Sequence, residues 1–196
     1  MRGRTRISGA FLACFLLFPL SSAGGDSAQD GYSLQEARKV LSIIDTLIVQ
    51  QMKPNPDLPE KITLSESELN SYIAHRILTE EEEIMKALQL KLFQRNKIEG
   101  KLSIDLRGQN LPSFLRPEMT VLFAGRLEVN ESRIRLNLSD LFLENQRVQP
   151  LILDAIIALG SRAQNMEVTS INDWYDLPYG IQDVKTDKGQ VDFYFR

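Results

Sequence analysis

The sequence predicts an α+β fold in which a curved antiparallel β-sheet wraps around long amphipathic helices. Stretches that alternate apolar and polar residues carry this prediction, and the clearest of them runs from Ile98 to Leu106. A period of two places one set of side chains on a single face of a strand, which is typical of antiparallel strands with one buried face. Other stretches place apolar residues at helical spacing, so we expect helices to cover the apolar face of the sheet.

The N-terminus has the pattern of a secretory signal peptide. Arg2, Arg4 and Arg6 precede a mostly apolar run over 7–20, and small residues follow up to Ala23. A basic start, a short apolar region and a small-residue cleavage site are the three parts of such a peptide. The run is also shorter than the about 20 apolar residues that cross a membrane. We therefore expect cleavage after Ala23 and export to the periplasm or the extracellular space.

Composition restricts the chemistry of the exported chain. Cleavage would remove Cys14, the single cysteine, and with it any disulfide or cysteine nucleophile. Of the 23 basic residues three would be lost, which leaves 20 against 26 acidic residues. An acidic chain without a basic stripe is a poor partner for nucleic acid. The sequence has no phosphate-binding loop or dinucleotide fingerprint, so we expect no cofactor.

After the leader, the sequence predicts one domain. Residues 24–32 are small and polar and form a flexible connection, and residues 33–196 form a single α+β domain. This length is sufficient to bury a core without disulfides. The domain divides into an N-terminal helix over 33–53 and a sheet-and-helix body over 62–196.

Capping and periodicity predict the first two helices. Ser33 and Glu36 form a capping box at the start of the N-terminal helix, which Pro54 ends. Ser65 and Glu68 form a second capping box for a helix that follows a short strand over 62–64.

The third predicted helix begins at Pro150, a residue that suits the first helical position. Its apolar residues recur at helical spacing, and they are Leu151, Ile152, Ala155, Ile156 and Leu159. Asp154 is the single charge up to Leu159, so we expect this helix to be buried on most sides.

Three hairpins account for the remaining strands. Each pair of alternating stretches is joined by a polar turn: 88–93 with 98–106, 121–129 with 134–138, and 181–186 with 191–195. In the first of these strands Gln89 and Lys91 face water, together with Phe93.

No set of residues makes a convincing catalytic centre. His75, the sole histidine, follows Ser71 by one helical turn, but a serine hydrolase also needs an acid and an oxyanion hole, and no nucleophile elbow is present. One histidine with carboxylates is equally a poor zinc site. Asp173 and Asp176 flank Trp174, yet the two carboxylates of a glycosidase must stand apart across a cleft. These aspartates are expected to serve turn geometry.

Two further groups lie near the C-terminus. Trp174, Tyr175 and Tyr179 form an aromatic cluster that either sits at a membrane–water boundary or closes one end of the sheet as a core plug. Three aspartates of the last hairpin lack the dense spacing of a calcium loop and are expected on its exterior, and they are Asp183, Asp187 and Asp192.

Several segments together resemble the YpmS-like exported bacterial proteins. The segment 62–70, Ile-Thr-Leu-Ser-Glu-Ser-Glu-Leu-Asn, is similar to the strand and helix with which their shared region opens. Alternating strands, the proline-started helix, the Leu-Pro segment at 177–181 and a terminal hairpin follow in the same order. The resemblance implies a likeness to the tubular lipid-binding (TULIP-like) superfamily, in which a curved antiparallel sheet wraps a long helix around an apolar groove. It implies a fold and a ligand class, and no catalytic residue.

The leading hypothesis is a non-enzymatic binder or carrier of a lipid or another elongated hydrophobic molecule in the cell envelope, with peripheral membrane contact. The candidate groove walls come from the apolar strand faces and the third helix, and they are Leu90, Leu92, Leu102, Ile104, Phe123, Leu127, Leu136, Leu138, Ile152 and Ile156.

Two other hypotheses remain. The first is an envelope interaction module with a closed core, which binds a protein partner through an exposed edge strand or the N-terminal helix. The second is a hydrolase, for which His75 is the only histidine candidate. If the helix over 33–53 fills the apolar face of the sheet, the interaction module is favoured. If the helix leaves that face open, a carrier is favoured.

Overall fold

The strands form two antiparallel sheets, accompanied by three helices. The structure is a computed structural model that describes residues 32–80, 84–108, 116–163 and 170–195, with side chains described up to residue 158 in the third helix. In chain order the elements are α1 Leu34–Gln51, β1 Lys61–Ser65, α2 Glu66–Thr79, β2 Met85–Leu92, β3 Lys97–Asp105, β4 Glu118–Asn130, β5 Arg133–Leu143, β6 Gln146–Arg147, α3 Pro150–Ala163, β7 Tyr175–Asp176, β8 Ile181–Asp187 and β9 Gln190–Phe195.

Some sequence predictions concern residues outside the described ranges. They are the signal peptide over 1–23 with its cleavage after Ala23, and all of the flexible leader except its last residue. That last residue, Tyr32, packs its ring on His75 with the centroids 6.3 Å apart. The ordered contacts of the body therefore begin at least one residue before Ser33.

The larger sheet curls into a half-barrel. Its strand order is β2-β3-β4-β5-β6, with β7 paired to β5, and the smaller sheet has the order β1-β9-β8. Residues 93–96 join β2 to β3, and two-residue turns join β4 to β5 and β5 to β6; each connection contains two consecutive residues with positive φ. Turns of this kind match the twist of antiparallel strands. The predicted α+β composition and curved antiparallel sheet are thus confirmed.

The helices are short, although α1 lies within two residues of its predicted bounds over 33–53. α1 has 18 residues, and α2 and α3 have 14 each. At about 1.5 Å per residue, α1 spans about 27 Å and the others about 21 Å. The expectation of long helices inside the sheet was wrong, because prolines follow α1 closely and α2 ends at Thr79, shortly before strand β2.

The cap of α1 differs from its prediction. The Ser33 hydroxyl accepts a hydrogen bond from the Glu36 N–H at 3.3 Å, as a capping serine does. The Glu36 carboxylate does not return a bond to the cap; it accepts from the hydroxyls of Ser67 and Ser71 at 2.6 and 2.8 Å. Because α2 lies alongside and offers these donors, only the serine half of the predicted capping box forms. The second predicted box, at the start of α2, has both of its bonds.

α1 covers the smaller sheet and α2. Its buried side chains Val40, Ile44 and Leu47 face residues of β1, β8 and β9 across a narrow space in the core. The apolar side of the larger sheet is faced instead by α2, α3 and the β8–β9 hairpin. The N-terminal helix therefore leaves the inner side of the half-barrel to other elements.

α3 is rotated relative to its prediction. Leu153, Ile156 and Ile157 are buried, whereas Leu151 is 71% exposed, so the expectation of burial on most sides was wrong. Residues 151–153 are all apolar, and spacing alone leaves the rotation of such a helix open. The rotation observed places Asp154 where its carboxylate accepts from the Ile171 N–H at 3.0 Å.

Side chains of α2, rather than another strand, close the outer edge of β2. The Asn70 side-chain amide donates to the Leu90 carbonyl at 2.8 Å, and the Leu90 N–H donates to the Asn70 amide oxygen at 2.7 Å. One helical turn earlier, the Glu66 carboxylate accepts from the Leu92 N–H at 2.7 Å. An unpaired strand edge is costly when buried and prone to association when exposed. These three bonds protect the edge and hold α2 against it.

The turn between β8 and β9 is attached to the same place. The Gly189 N–H donates to the Leu92 carbonyl at 3.1 Å, and the Glu66 N–H donates to the Gly189 carbonyl at 2.8 Å. Nearby, the Thr186 N–H donates to the side-chain oxygen of Asn96 at 2.9 Å. The end of the smaller sheet, the start of α2 and the first hairpin of the larger sheet are therefore joined by backbone hydrogen bonds.

Replacement of Asn70 by alanine tests the closure of the β2 edge. Asn70→Ala leaves a donor and an acceptor of Leu90 without their partner, so we expect the free energy of unfolding to fall by about 1–3 kcal/mol in urea denaturation. The control is Asn137→Ala, which removes an exposed asparagine that donates to Glu128 and should change stability by less than about 0.5 kcal/mol. Equal losses in the two variants would contradict the proposed role of Asn70.

Candidate functional site

The interior between the two sheets contains an apolar cavity, called here the central cavity. Its volume is about 70 Å³. α2, both sheets and the segment before β8 contribute its walls, which are Leu69, Ile73, Leu88, Leu90, Leu92, Ile98, Leu127, Ile134, Arg135, Leu136, Ile171, Tyr175, Leu177, Val184, Thr186, Val191 and Phe193. Apart from Arg135, Thr186 and Tyr175, all of these side chains are apolar, so the cavity suits hydrocarbon.

Two smaller apolar cavities adjoin the central one. The cavity beneath α3 measures about 30 Å³ and shares Leu136 and Ile171 with the central cavity. The cavity beneath α1 is also about 30 Å³ and shares Leu69 and Phe193 with it. The central cavity thus shares walls with both smaller cavities.

The structure distributes the predicted groove walls among several places. Those that line the central cavity are Leu90, Leu92, Leu127 and Leu136. Those that line the cavity beneath α3 are Leu102, Phe123 and, again, Leu136. The others line none of these three cavities: Ile104 and Ile156 are buried in the core, and Leu138 and Ile152 are partly buried against it.

Sequence reasoning named four of the seventeen residues that line the central cavity. The walls opposite the larger sheet, which it did not name, come from α2 and from the β8–β9 hairpin, and they include Leu69, Ile73, Val184, Val191 and Phe193. Alternation identified the strands that carry the last three, and the capping box at Ser65 predicted the helix that carries the first two. No local pattern indicates that these elements face the larger sheet, because that contact joins residues far apart in the sequence.

Arg135 lies between two residues of β5 that line the central cavity, Ile134 and Leu136, and its side chain is on the opposite face of the strand beside Glu128. Its Nε and Nη2 atoms each lie 2.6 Å from the same carboxylate oxygen of Glu128. Its guanidinium group also lies 4.6 Å from the ring centroid of Trp174. Hydrogen bonds from Asn137 and from Arg135 hold the pKa of Glu128 below its ordinary value. The ion pair of Arg135 and Glu128 is therefore packed on the ring of Trp174.

The structure does not bring Ser71 and His75 together as a catalytic pair. The buried Ser71 hydroxyl binds the Glu36 carboxylate and accepts from the Ser33 N–H at 3.1 Å. The Nδ1 atom of His75 lies 2.9 Å from the Tyr32 hydroxyl. Both side chains thus form hydrogen bonds that join the N-terminal segment to α2.

The C-terminal aspartates occupy structural positions. Asp173 accepts from the Ser170 N–H at 2.7 Å, as a turn aspartate does, and Asp176 lies in β7 opposite Arg133. In the last hairpin Asp183 and Asp192 form ion pairs with Lys185 and Lys61, and Asp187 is exposed. No three His, Cys, Asp or Glu residues in the described ranges lie close enough to hold a metal ion.

The aromatic cluster is split between the interior and the outer face of the larger sheet. Tyr175 lines the central cavity, Tyr179 lines the cavity beneath α1, and Trp174 supports Arg135. The two tyrosines therefore match the expected core plug.

Comparisons with protein-family models, with curated proteins and with solved structures find no match to this chain. Within the described part of the chain, no helix combines the length and the apolar character that a bilayer crossing requires.

The sole histidine provides a test of the buried, positively charged surroundings of His75 between α1 and α2. Burial, and then the charges of Arg38 and Arg76, lower the pKa of His75. The folded state therefore binds the proton less readily than the unfolded state, whose histidine titrates near about 6.5. The resulting stability is present above that pH and is lost as the pH falls below it.

We expect the free energy of unfolding to decrease between pH of about 7 and about 5.5, a window in which histidine titrates and carboxylates hardly do. The variant His75→Gln should show a flatter profile over the same window in urea denaturation. A slope that persists unchanged in His75→Gln would assign the pH dependence to other groups.

Proposed function

We propose that the protein is a non-enzymatic binder of an elongated apolar ligand, which occupies the interior between the two sheets. The observation that carries this proposal is that a central apolar cavity shares walls with two smaller ones, at Leu136 with Ile171 and at Leu69 with Phe193. An extended hydrocarbon chain suits adjoining small cavities better than a round ligand does.

The cavities are smaller than a bound chain requires. An engineered cavity of about 150 Å³ admits benzene, and ligand sites usually measure about 300–1,000 Å³. The central cavity has about 70 Å³. Binding therefore has to widen the interior, and a cover must move aside.

α3 is the cover that fits this role. It contributes Leu153 and Ile157 to the cavity beneath it and leaves Leu151 exposed. Exposure of a buried leucine or isoleucine costs about 1.5–3 kcal/mol, so release of its three buried side chains costs about 5–9 kcal/mol. An acyl chain with about ten buried methylenes gains about 8 kcal/mol, at about 0.8 kcal/mol each. The two amounts are comparable, so an acyl chain can replace α3 in contact with the sheet.

The N-terminal pattern supports export to the cell envelope as part of the proposal. The resemblance of 62–196 to the YpmS-like and tubular lipid-binding proteins supports the ligand class, and a lipid ligand would bring peripheral membrane contact. No cofactor enters this proposal.

The small cavity volumes favour a second candidate function, an interaction module with a closed core. A partner would then pair with a strand edge, and the edge of β2 at Leu90 and Leu92 is occupied by α2. β4 pairs along one side of β5, and β6 and β7 pair with the two ends of β5 on its other side. Residues 135–140 therefore have no strand partner on that other side among the described residues. This stretch is the edge that the second candidate function would use.

Lipid extraction followed by mass spectrometry of the purified protein separates the two functions. The binder should carry an amphiphile from its host or take up the apolar dye Nile red in solution. Protein that is reproducibly empty and takes up neither dye nor added fatty acid would refute the binder and favour the module.

Enlargement of the interior gives a more specific test. Leu136→Ala removes a wall between the central cavity and the cavity beneath α3, so we expect it to strengthen dye binding in fluorescence titration. The matched control is Ile104→Ala, at a buried position that lines neither cavity. Both variants should lose about 2–5 kcal/mol of stability, so stability loss alone cannot produce a difference in binding. Equal dye affinity in the two variants would contradict a ligand path through Leu136.

A further inference from the structure

A wide groove, called here the outer groove, lies on the face of the larger sheet that is turned away from the central cavity. Its volume is about 830 Å³, within the range of about 300–1,000 Å³ that is usual for ligand sites. Strands β2 to β5 form its floor, and the start of α2 at Glu66, Ser67 and Asn70 forms one wall. Its Glu99 and Lys101 side chains alternate along β3 with buried residues, so they point away from the interior.

The part of the floor on β4 and β5 is apolar. Leu122 and Phe142 lie directly opposite each other on these strands, and Ala124 is the next outward residue of β4. Leu122 is 38% exposed, although its neighbours Val121 and Phe123 are buried. Opposite side chains on a sheet lie about 4.5–5.5 Å apart, and alternate residues of a strand about 6.7 Å. The apolar patch is therefore about as wide as it is long, a shape that suits a flat ring system.

The part of the floor on β2 and β3 carries two ammonium groups, called here the lysine pair. Lys91 lies opposite Glu99, and Lys101 is the next outward residue after Glu99, so the two lysines are diagonal neighbours about 7–8 Å apart. The Lys91 ammonium lies 5.9 Å from the centroid of the Phe93 ring. Lys101 is directly opposite Leu122 on β4. The lysine pair therefore borders the apolar patch.

The carboxylates that line the outer groove have partners of their own. Glu99 forms an ion pair with Lys97 at 3.0 Å, and Asp140 forms one with Arg147 at 2.9 Å. The glutamate on the α2 wall accepts from the backbone of β2, as described above. Within the described part of the chain, neither member of the lysine pair forms an ion pair. The positive charge beside the apolar patch is therefore available to an anion.

We propose that the outer groove binds an aromatic organic anion, whose ring system lies on Leu122 and Phe142 and whose anionic group binds Lys91 and Lys101. Contact with Leu122 removes apolar surface from water, and Phe142 offers a ring for stacking. Hydrogen bonds between ammonium groups and an anion are roughly twice as strong as neutral ones. This inference is independent of the proposed function, because it concerns the opposite face of the sheet and a different ligand.

Glu99 limits the strength of this interaction. Its carboxylate lies opposite Lys91 and repels an incoming anion, although its ion pair with Lys97 reduces the repulsion. The proposal therefore makes opposite predictions for the two kinds of charge. Loss of the lysine pair weakens binding of the anion, and neutralisation of Glu99 strengthens it.

The experiment titrates the full-length purified protein with anilinonaphthalene sulfonate and with phenylnaphthylamine, which have the same rings and differ by the sulfonate. Both probes report binding by fluorescence. In the wild-type protein we expect the sulfonate to bind more tightly than the neutral probe. The double variant Lys91→Gln with Lys101→Gln should weaken binding of the sulfonate about fivefold or more and change binding of the neutral probe less than about twofold.

Three further variants complete the test. Leu122→Ser removes the exposed leucine of the apolar patch and should weaken both probes about threefold or more. Lys188→Gln removes an exposed lysine between β8 and β9 that lines neither the outer groove nor the three cavities, and it should leave both probes unchanged. Glu99→Gln should strengthen the sulfonate alone, and it keeps the inference testable if the double variant does not fold.

The outcomes that overturn the outer groove differ from those that refute the apolar binder. The groove is overturned if both probes bind equally and neither the double lysine variant nor Glu99→Gln changes their ratio. It is also overturned if Leu122→Ser leaves the sulfonate unchanged while Leu136→Ala alters its binding, because the probe then occupies the interior. Uptake of Nile red without any binding of the sulfonate would overturn the groove and leave the binder standing.

Discussion

The exchange of hydrogen bonds between the Asn70 amide and the Leu90 backbone is the interaction on which the rest of the structure depends. An antiparallel sheet that ends beside an apolar interior leaves unpaired backbone groups, and these must be satisfied or exposed. Glu66 and Asn70 are one helical turn apart, about 5.4–6 Å, which is close to the about 6.7 Å between alternate residues of a strand. The helix can therefore pair with Leu90 and Leu92 as a second strand would.

This pairing also positions the interior. Leu69 and Ile73 belong to the same turns of α2 as Glu66 and Asn70, and both line the central cavity. The helix that seals the edge of the larger sheet thus also forms a wall between the two sheets. The turn of β8 and β9, bonded to Leu92 and Glu66, places Phe193 on the opposite wall. A small set of polar contacts determines where the apolar surfaces meet.

Local patterns predicted most elements, since capping at Ser65 and alternation in β3 depend on near neighbours in the sequence. They named four of the strand residues that line the central cavity for the same reason. They could not predict the division into two sheets, because the pairing of β1 with β9 joins residues about as far apart as Leu64 and Val191. The rotation of α3 was missed because consecutive apolar residues fit more than one face. The local sequence does not indicate that Asn70 binds the edge of a strand, because this role depends on the position of α2 beside β2.

Alternating strands are compatible with a filled core and with a ligand site, and the volume of the interior bears on the choice between them. The adjoining cavities are apolar but too small for a whole hydrocarbon chain, so the proposed function requires movement of a cover such as α3.

A crystal structure of the protein grown with dodecanoate is the most direct test of the claim that this interior is the working site. The account predicts continuous density for the chain that passes Leu136 between the two sheets, with α3 displaced from Met85 and Leu102. An interior filled by the same side chains as in the free protein, with dodecanoate absent or bound only at the surface, would contradict it.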